Sequence, residues 1–118
     1  MWERYNLSGQ QLQTQGKSAD AEVQFRLAVT EAEKIGPNDP KLATSLLNLG
    51  NCLRSQGKYP DAEASYKRAI EVKEKSAGPL HNDLVPYLEN YAKMLRAAGR
   101  EQEANKMQNK AQAIFARK

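Results

Sequence analysis

The stretch Gly50-Asn51-Cys52-Leu53-Arg54-Ser55-Gln56-Gly57-Lys58-Tyr59-Pro60-Asp61-Ala62 decides the fold, because its small and large residues recur along the 118-residue chain every 41 to 42 positions. Gly57 has counterparts in Gly16 and Gly99, Leu53 in Leu12 and Leu95, Ala62 in Ala21 and Ala104, and Gly50 in Gly9 and Ala92. Ala28, Ala69 and Ala111 follow in step. A period of this size marks stacked supersecondary units, each too small to bury its own apolar face, and so predicts a solenoid. The expected units are residues 1–38, 39–80 and 81–118 of a single domain.

Each unit reads as two helices. Upstream of the quoted stretch, Asp39-Pro40 supplies an N-cap and a proline at the first helical position, and Leu46, Leu49, Gly50 and Leu53 recur at helical spacing. Gly57 can take the positive φ that closes this helix, and Pro60 opens the next, whose apolar stripe is Ala62, Tyr66, Ala69 and Ile70. The third unit follows the same plan, with Asp83 or Asn82 as the expected cap. Pro86 removes a backbone donor, which places the start of that helix near Asp83. Gln108 and Gln112 replace the aromatic (Phe25, Tyr66) and branched (Val29, Ile70) residues of the earlier units, giving the polar outer face that a terminal unit needs. At the other end Trp2, Tyr5, Gly9 and Leu12 are in phase with the later first helices, and no capping segment precedes them, so this end is expected to be exposed. Because the chain enters its first unit at Trp2, we expect an excised domain or a mature product.

Composition narrows the function classes. Apolar residues make up 40% and charged residues 27%, enough for one core, yet no apolar run approaches the roughly 20 residues that span a bilayer. The net charge of +4 is spread along the chain without a basic tract, so it favours acidic partners weakly and predicts no nucleic-acid binding. Cys52 is the single cysteine and His81 the single histidine, which leaves no disulfide, no metal site and no cofactor to expect, and leaves the compartment open. Cys52 is expected to pack beside an apolar face, and His81 to serve a turn or cap. The paired carboxylates Glu31/Glu33 and Glu71/Glu74 lie on second helices among lysines and read as surface ion pairs. With no phosphate loop, nucleophile elbow or ligand pair, the chain is not expected to be an enzyme.

The pattern of small residues at a helix crossing and large ones beside it, met by Gly50, Leu53, Tyr59, Ala62, Tyr66 and Ala69, resembles tetratricopeptide repeats. The stretch from Gly36 to Gly50 with Gly57-Lys58-Tyr59, and the long period, are similar to the 42-residue kinesin light chain-like subclass. The resemblance covers essentially the whole chain and implies an all-α, right-handed α-α superhelix of three helix-turn-helix units, six helices in all. It also implies a peptide-binding groove on the first helices of the pairs. Carried over, the groove positions are Asn6, Leu7, Gln10, Gln13 and Thr14 in unit one, Leu47, Asn48, Asn51, Arg54 and Ser55 in unit two, and Glu89, Asn90, Lys93, Arg96 and Ala97 in unit three.

These residues lie three and four apart and form one stripe per helix, turned away from the leucines of the core. Asn48 and Asn90 are equivalent, and an asparagine amide offers a peptide backbone both a donor and an acceptor. Leu7 takes their place in unit one. Arg54, Lys93 and Arg96 add positive charge suited to an acidic segment or a carboxylate, Glu89 opposes them, and Leu7 and Leu47 could accept an apolar anchor. A clamp for chaperone C-terminal carboxylates is rejected, since of the positions Asn6, Gln10, Asn48, Pro86 and Asn90 only Asn48 matches. The expected function is an adaptor that binds a partner peptide in the groove. The alternative is a structural spacer that self-associates through its N-terminal end. RNA binding through Arg54, Lys93, Arg96 and Arg100 lacks the aromatic residues that stack bases.

Overall fold

The computed structural model of the chain describes residues 1–78 and 81–116; Leu80, where the second unit was expected to end, and the last two residues lie outside them. Among the described residues there are six helices: α1 (Trp2–Thr14), α2 (Ser18–Ile35), α3 (Pro40–Ser55), α4 (Tyr59–Ala77), α5 (Leu84–Ala97) and α6 (Glu101–Ala116). None is long and apolar enough to cross a membrane. The pairs α1–α2, α3–α4 and α5–α6 pack as hairpins, and the hairpins stack through α2 on α3 and α4 on α5.

The three hairpin turns close identically. The backbone N–H of Lys17 donates to the Leu12 carbonyl at 2.8 Å, that of Lys58 to Leu53 at 2.9 Å and that of Arg100 to Leu95 at 2.8 Å. The residues just before them, Gly16, Gly57 and Gly99, sit at φ of 79°, 75° and 80°, the left-handed region in which a Cβ is strained. Helix starts are more varied. The Asp39 carboxylate accepts from the Lys41 N–H at 2.8 Å and Pro40 opens α3, as the sequence predicts. Asp83 precedes α5 but makes no side-chain cap bond; His81 Nδ1 instead accepts from the Asp83 N–H at 3.0 Å. Pro86 falls in the first turn of α5, where its missing donor has no intrahelical acceptor to lose.

The core follows the small-large code in detail. A Cβ on Gly9 would lie 2.5 Å from the Phe25 ring, and one on Gly50 would lie 2.9 Å from the Tyr66 ring. Both rings are buried against those bare backbones. In the third hairpin the crossing residue is Ala92, and the opposite residue is Gln108 rather than a ring. Cys52 is fully buried, more so than a residue at the edge of the apolar stripe would be, and its thiol donates to the Ser18 carbonyl.

The N-terminal end departs from expectation. Around Trp2 it is docked rather than exposed: Trp2 is half-buried, its indole N–H donates to Ser45 Oγ, and the Lys41 ammonium sits 5.6 Å above its ring. The exposed large apolar side chains of the first hairpin are Met1, Leu7, Val23, Leu27 and Ile35.

Candidate peptide-binding groove

Curvature places the first helices inside. The backbones of α1 and α3, and of α3 and α5, approach each other, whereas those of α2 and α4, and of α4 and α6, nowhere come as close among the described residues. The inner face is therefore lined by α1, α3 and α5, and the second helices are splayed apart outside.

The hydrogen bonds divide the expected groove residues into two groups. Several tie the array together. Asn48 Nδ2 donates to Asn6 Oδ1 at 2.9 Å, and Asn6 is itself buried. Asn51 Oδ1 accepts from the Tyr66 hydroxyl, Arg54 donates to the Asn90 carbonyl at 3.3 Å, and Asn90 Nδ2 donates to the Pro86 carbonyl at 2.7 Å. Arg96 is drawn to α6, where it meets Asn105, Gln108 and Glu101. Gln13 donates to Ser55 at 2.9 Å across the first seam. Leu7, Gln10, Glu89 and Lys93 are exposed, and Leu47 is half-buried against the core.

Charge pairing separates the inner helices from α2 and α4. Every cation on α2 and α4 pairs with a carboxylate: Arg26 with Glu22, Lys34 with Glu31, Lys67 with Glu63, Arg68 with Glu33, Lys73 with Asp83 and Lys75 with Glu71. Arg54 on α3 and Lys93 on α5 have no carboxylate partner among the described residues. The inner face thus carries two unpaired cations in its C-terminal half, against one exposed carboxylate, Glu89.

Sequence reasoning overlooked the residues that set the stacking. Glu22 accepts from Arg26 at 2.9 Å, Gln56 at 3.0 Å and Lys58 at 3.1 Å. Its counterpart Glu63 accepts from the Tyr91 hydroxyl at 2.7 Å and from Arg100 at 2.9 Å. Burial pushes the Glu22 carboxyl up, but the hydrogen bonds from Arg26, Gln56 and Lys58 outweigh it and hold it at about 2. Arg100, helped by Tyr91, holds Glu63 at about 2 against burial. Burial pushes the Tyr66 phenol up to about 12 and raises the Cys52 thiol, so neither is ionised near neutrality. Of the carboxylates read as surface pairs, Glu33 and Glu74 also reach across hairpins, to Arg68 at 2.6 Å and Lys110 at 3.5 Å. The signal was present in the period: Glu22 and Glu63, Lys58 and Arg100, and Glu33 and Glu74 are register equivalents.

Three stacked helical hairpins with their first helices along one curved face define an α-α solenoid with an open groove. The family profile of the tetratricopeptide repeat matches residues 4–75 and, overlapping, 56–117, and the chain belongs to that family. No curated protein matches the sequence. Solved structures similar to it include the TPR domain of Arabidopsis FLU, at a TM-score of 0.86 and 17% identity over 99% of this chain and 96% of that one. Another is a Podosopora anserina putative kinesin light chain with nearly identical TPR-like repeats, at 0.84 and 18%, over 97% of this chain and 55% of that one. BtubC (BKLC) from P. vanneervenii follows at 0.61 and 20%, over 98% and 63%. At these identities the likeness shows the fold, and kinesin light chain-like repeats are among its examples. Tetratricopeptide domains are generally protein-interaction scaffolds.

Proposed function

We propose that this domain is an adaptor that holds an acidic peptide segment of a partner protein in the concave groove, with one apolar side chain of the peptide anchored on Leu47 or Leu7. The observation that carries the reading is the charge asymmetry: the cations of α2 and α4 are all neutralised locally, while Arg54 and Lys93 on the inner face have no carboxylate partner among the described residues. Arg54 is also pre-positioned by its bond to the Asn90 carbonyl, so less side-chain entropy is lost when a carboxylate arrives. Gln10, Asn51 and Asn90 supply polar contacts along the stripe, Asn6 and Asn48 form its floor, and Arg96 closes its C-terminal end. In this reading the module is one domain of three units, 1–38, 39–80 and 81–118.

Selection from a random peptide library displayed on beads, followed by calorimetry on the enriched peptides, tests this. Enriched sequences should carry Asp or Glu beside a single Leu, Ile or Phe. Lys93→Glu should weaken them by about tenfold or more, with the loss shrinking at high salt. Peptides without acidic residues, or affinities indifferent to Lys93→Glu and Arg54→Ala, would overturn the proposal.

A further inference from the structure

Between the outer helices α2 and α4 the first seam leaves a cleft of about 410 Å³, on the side of α3 that faces away from the groove. Val29 from α2 and Leu46 and Leu49 from α3 form its apolar floor, and Ser65, Arg68 and Arg26 stand around it. The corresponding place in the second seam is filled. There the residue equivalent to Leu49 is the buried Tyr91, and the one equivalent to Ser65 is Met107, which packs against the core. The floor itself is matched, with Ile70 and Leu88 as counterparts of Val29 and Leu46. The first seam therefore lacks a ring and a thioether above an equivalent apolar floor. A space of this size falls in the range of small-ligand pockets, about 300 to 1,000 Å³.

The polar groups of the cleft are not fully used within the chain. Ser65 is 8% exposed, and its hydroxyl makes no hydrogen bond among the described residues. Thr30, Ser45 and Ser55, which also lie within helices, each donate to the carbonyl four residues back. A serine this deep without a partner carries a desolvation cost that a bound acceptor removes. Arg68 lies one turn on from Ser65, so the hydroxyl and the guanidinium share a face of α4. Arg68 holds Glu33 through one terminal nitrogen, and Arg26 holds Glu22 through Nε. The other N–H groups of both guanidinium forks have no hydrogen-bond partner among the described residues. Glu22 is also held by Lys58, so the three cations Arg26, Lys58 and Arg68 share two carboxylates, Glu22 and Glu33, with one positive charge in excess.

We propose that this cleft binds a small aryl carboxylate. The ring lies on Val29, Leu46 and Leu49, in the space that Tyr91 and Met107 take up in the second seam. The carboxylate accepts from the Ser65 hydroxyl and from the open N–H groups of Arg68, with Arg26 beside it on α2. The single excess charge matches a monoanion, and Glu33 at the rim repels a doubly charged group such as a phosphate. A ligand without an anionic group leaves the guanidinium forks unused, and one without a ring leaves the apolar floor in water. The peptide groove, on the opposite side of α3, takes no part.

Titration of the isotope-labelled chain with 3-phenylpropanoate, followed through its amide chemical shifts, tests the proposal. Shifts should concentrate at Val29, Leu49, Ser65 and Arg68, with a dissociation constant of about 1 mM or lower. The primary amide of the same acid lacks the charge and acetate lacks the ring, and each should bind about tenfold more weakly or worse. Ser65→Ala should weaken the acid about fivefold and Arg68→Gln about tenfold. Leu49→Tyr fills the cleft with the residue of the second seam and should abolish the shifts in a chain that still melts cooperatively. The proposal is overturned by an amide or an acetate that binds as tightly as the acid, or by a folded Leu49→Tyr variant that still binds it. Should Leu49→Tyr fail to fold, binding indifferent to both Ser65→Ala and Arg68→Gln overturns it equally. An acetylated tripeptide ending in phenylalanine that binds about tenfold more tightly than the acid also overturns it, because the cleft then serves the C-terminus of a partner chain.

Discussion

Between the first and second hairpins the seam is stitched largely by neutral hydrogen bonds and stays partly open, whereas between the second and third it is filled by aromatic rings and an ion network. The first seam joins Trp2 to Ser45, Asn48 to Asn6, Gln13 to Ser55 and Cys52 to Ser18. Behind them an open cleft of about 410 Å³ remains, lined by Val29, Leu46, Leu49, Ser65 and the bridging pair Glu33–Arg68. In the second seam Tyr91 stands where Leu49 does and Met107 where Ser65 does. Tyr91 stacks on Tyr66 with ring centroids 6.0 Å apart and donates to Glu63. What both seams keep are two ion pairs, Glu22–Lys58 and Glu33–Arg68 in the first, Glu63–Arg100 and Glu74–Lys110 in the second. Those pairs fix how one hairpin sits on the next, while the residues between them are polar in one seam and aromatic in the other.

The largest expected effect comes from forcing a ring out of its hairpin and into a seam. Gly50→Val drives a side chain into the Tyr66 ring, which already packs on Tyr91, so the second seam opens while the first stays closed. Gly9→Val does the reverse through Phe25. Each should cost about 3 kcal/mol, roughly 10 °C in melting temperature. Hydrogen exchange should show α5 and α6 loosened in the first variant and α1 in the second. Equal loosening of both ends in either variant would mean the seams are not separable.

Next in size is the exchange of the residues that distinguish the seams. Tyr91→Leu gives the second seam the residue of the first and removes both the ring stack and the hydrogen bond to a charged carboxylate, a loss of about 2 kcal/mol. Leu49→Tyr, in the open seam, should change stability by less than about 1 kcal/mol because the cleft has room for the ring. A matched loss in the two variants, read from urea melts, would contradict the difference drawn between the seams.

Much of this was legible in the sequence and some of it was not. The period, the turn glycines, the Asp39-Pro40 start and the polar last helix are local or repetitive signals, and each follows from a backbone or burial requirement that a single residue type meets. The Gly50–Tyr66 fit is also written twice, as Gly9 with Phe25 and in the negative as Ala92 with Gln108. The groove residues were harder, because residue type alone does not tell a free amide from one already spent. Asn48 and Arg54 look alike on the stripe, yet one donates to Asn6 and the other to the Asn90 carbonyl, and those partners come from a neighbouring hairpin whose rotation the sequence does not state. The docking of Trp2 on Ser45 was hidden for the same reason.

Acid should test what the seams have in common. Glu22 and Glu63 are both held at about 2, below the ordinary 4.5 of an unfolded glutamate. Depressed carboxyls contribute stability that is fully present above the unfolded value and is lost as pH falls through the folded one. The melting temperature should therefore decline by a few degrees between pH 4.5 and 2. Glu22→Gln and Glu63→Gln should each flatten that decline by a similar amount. A slope carried wholly by one glutamate would show that only one seam relies on the pair.

The smallest expected effect is a gain. Ser65→Met places in the open seam the residue that Met107 supplies in the filled one, against Leu46, Leu49 and Val29. Two extra heavy atoms and the loss of a hydroxyl in a cleft already floored by leucines should add roughly 1 kcal/mol, and the unbranched thioether can follow the shape of the gap. The reciprocal Met107→Ser should lose about as much, because it opens the second seam beside Tyr91 without touching the Glu63–Arg100 pair. Differential scanning calorimetry resolves both. If Ser65→Met lowers the melting temperature, the cleft is held open by the Glu33–Arg68 bridge and not by the small size of Ser65. In that case Arg68→Ala in the same background should restore the gain.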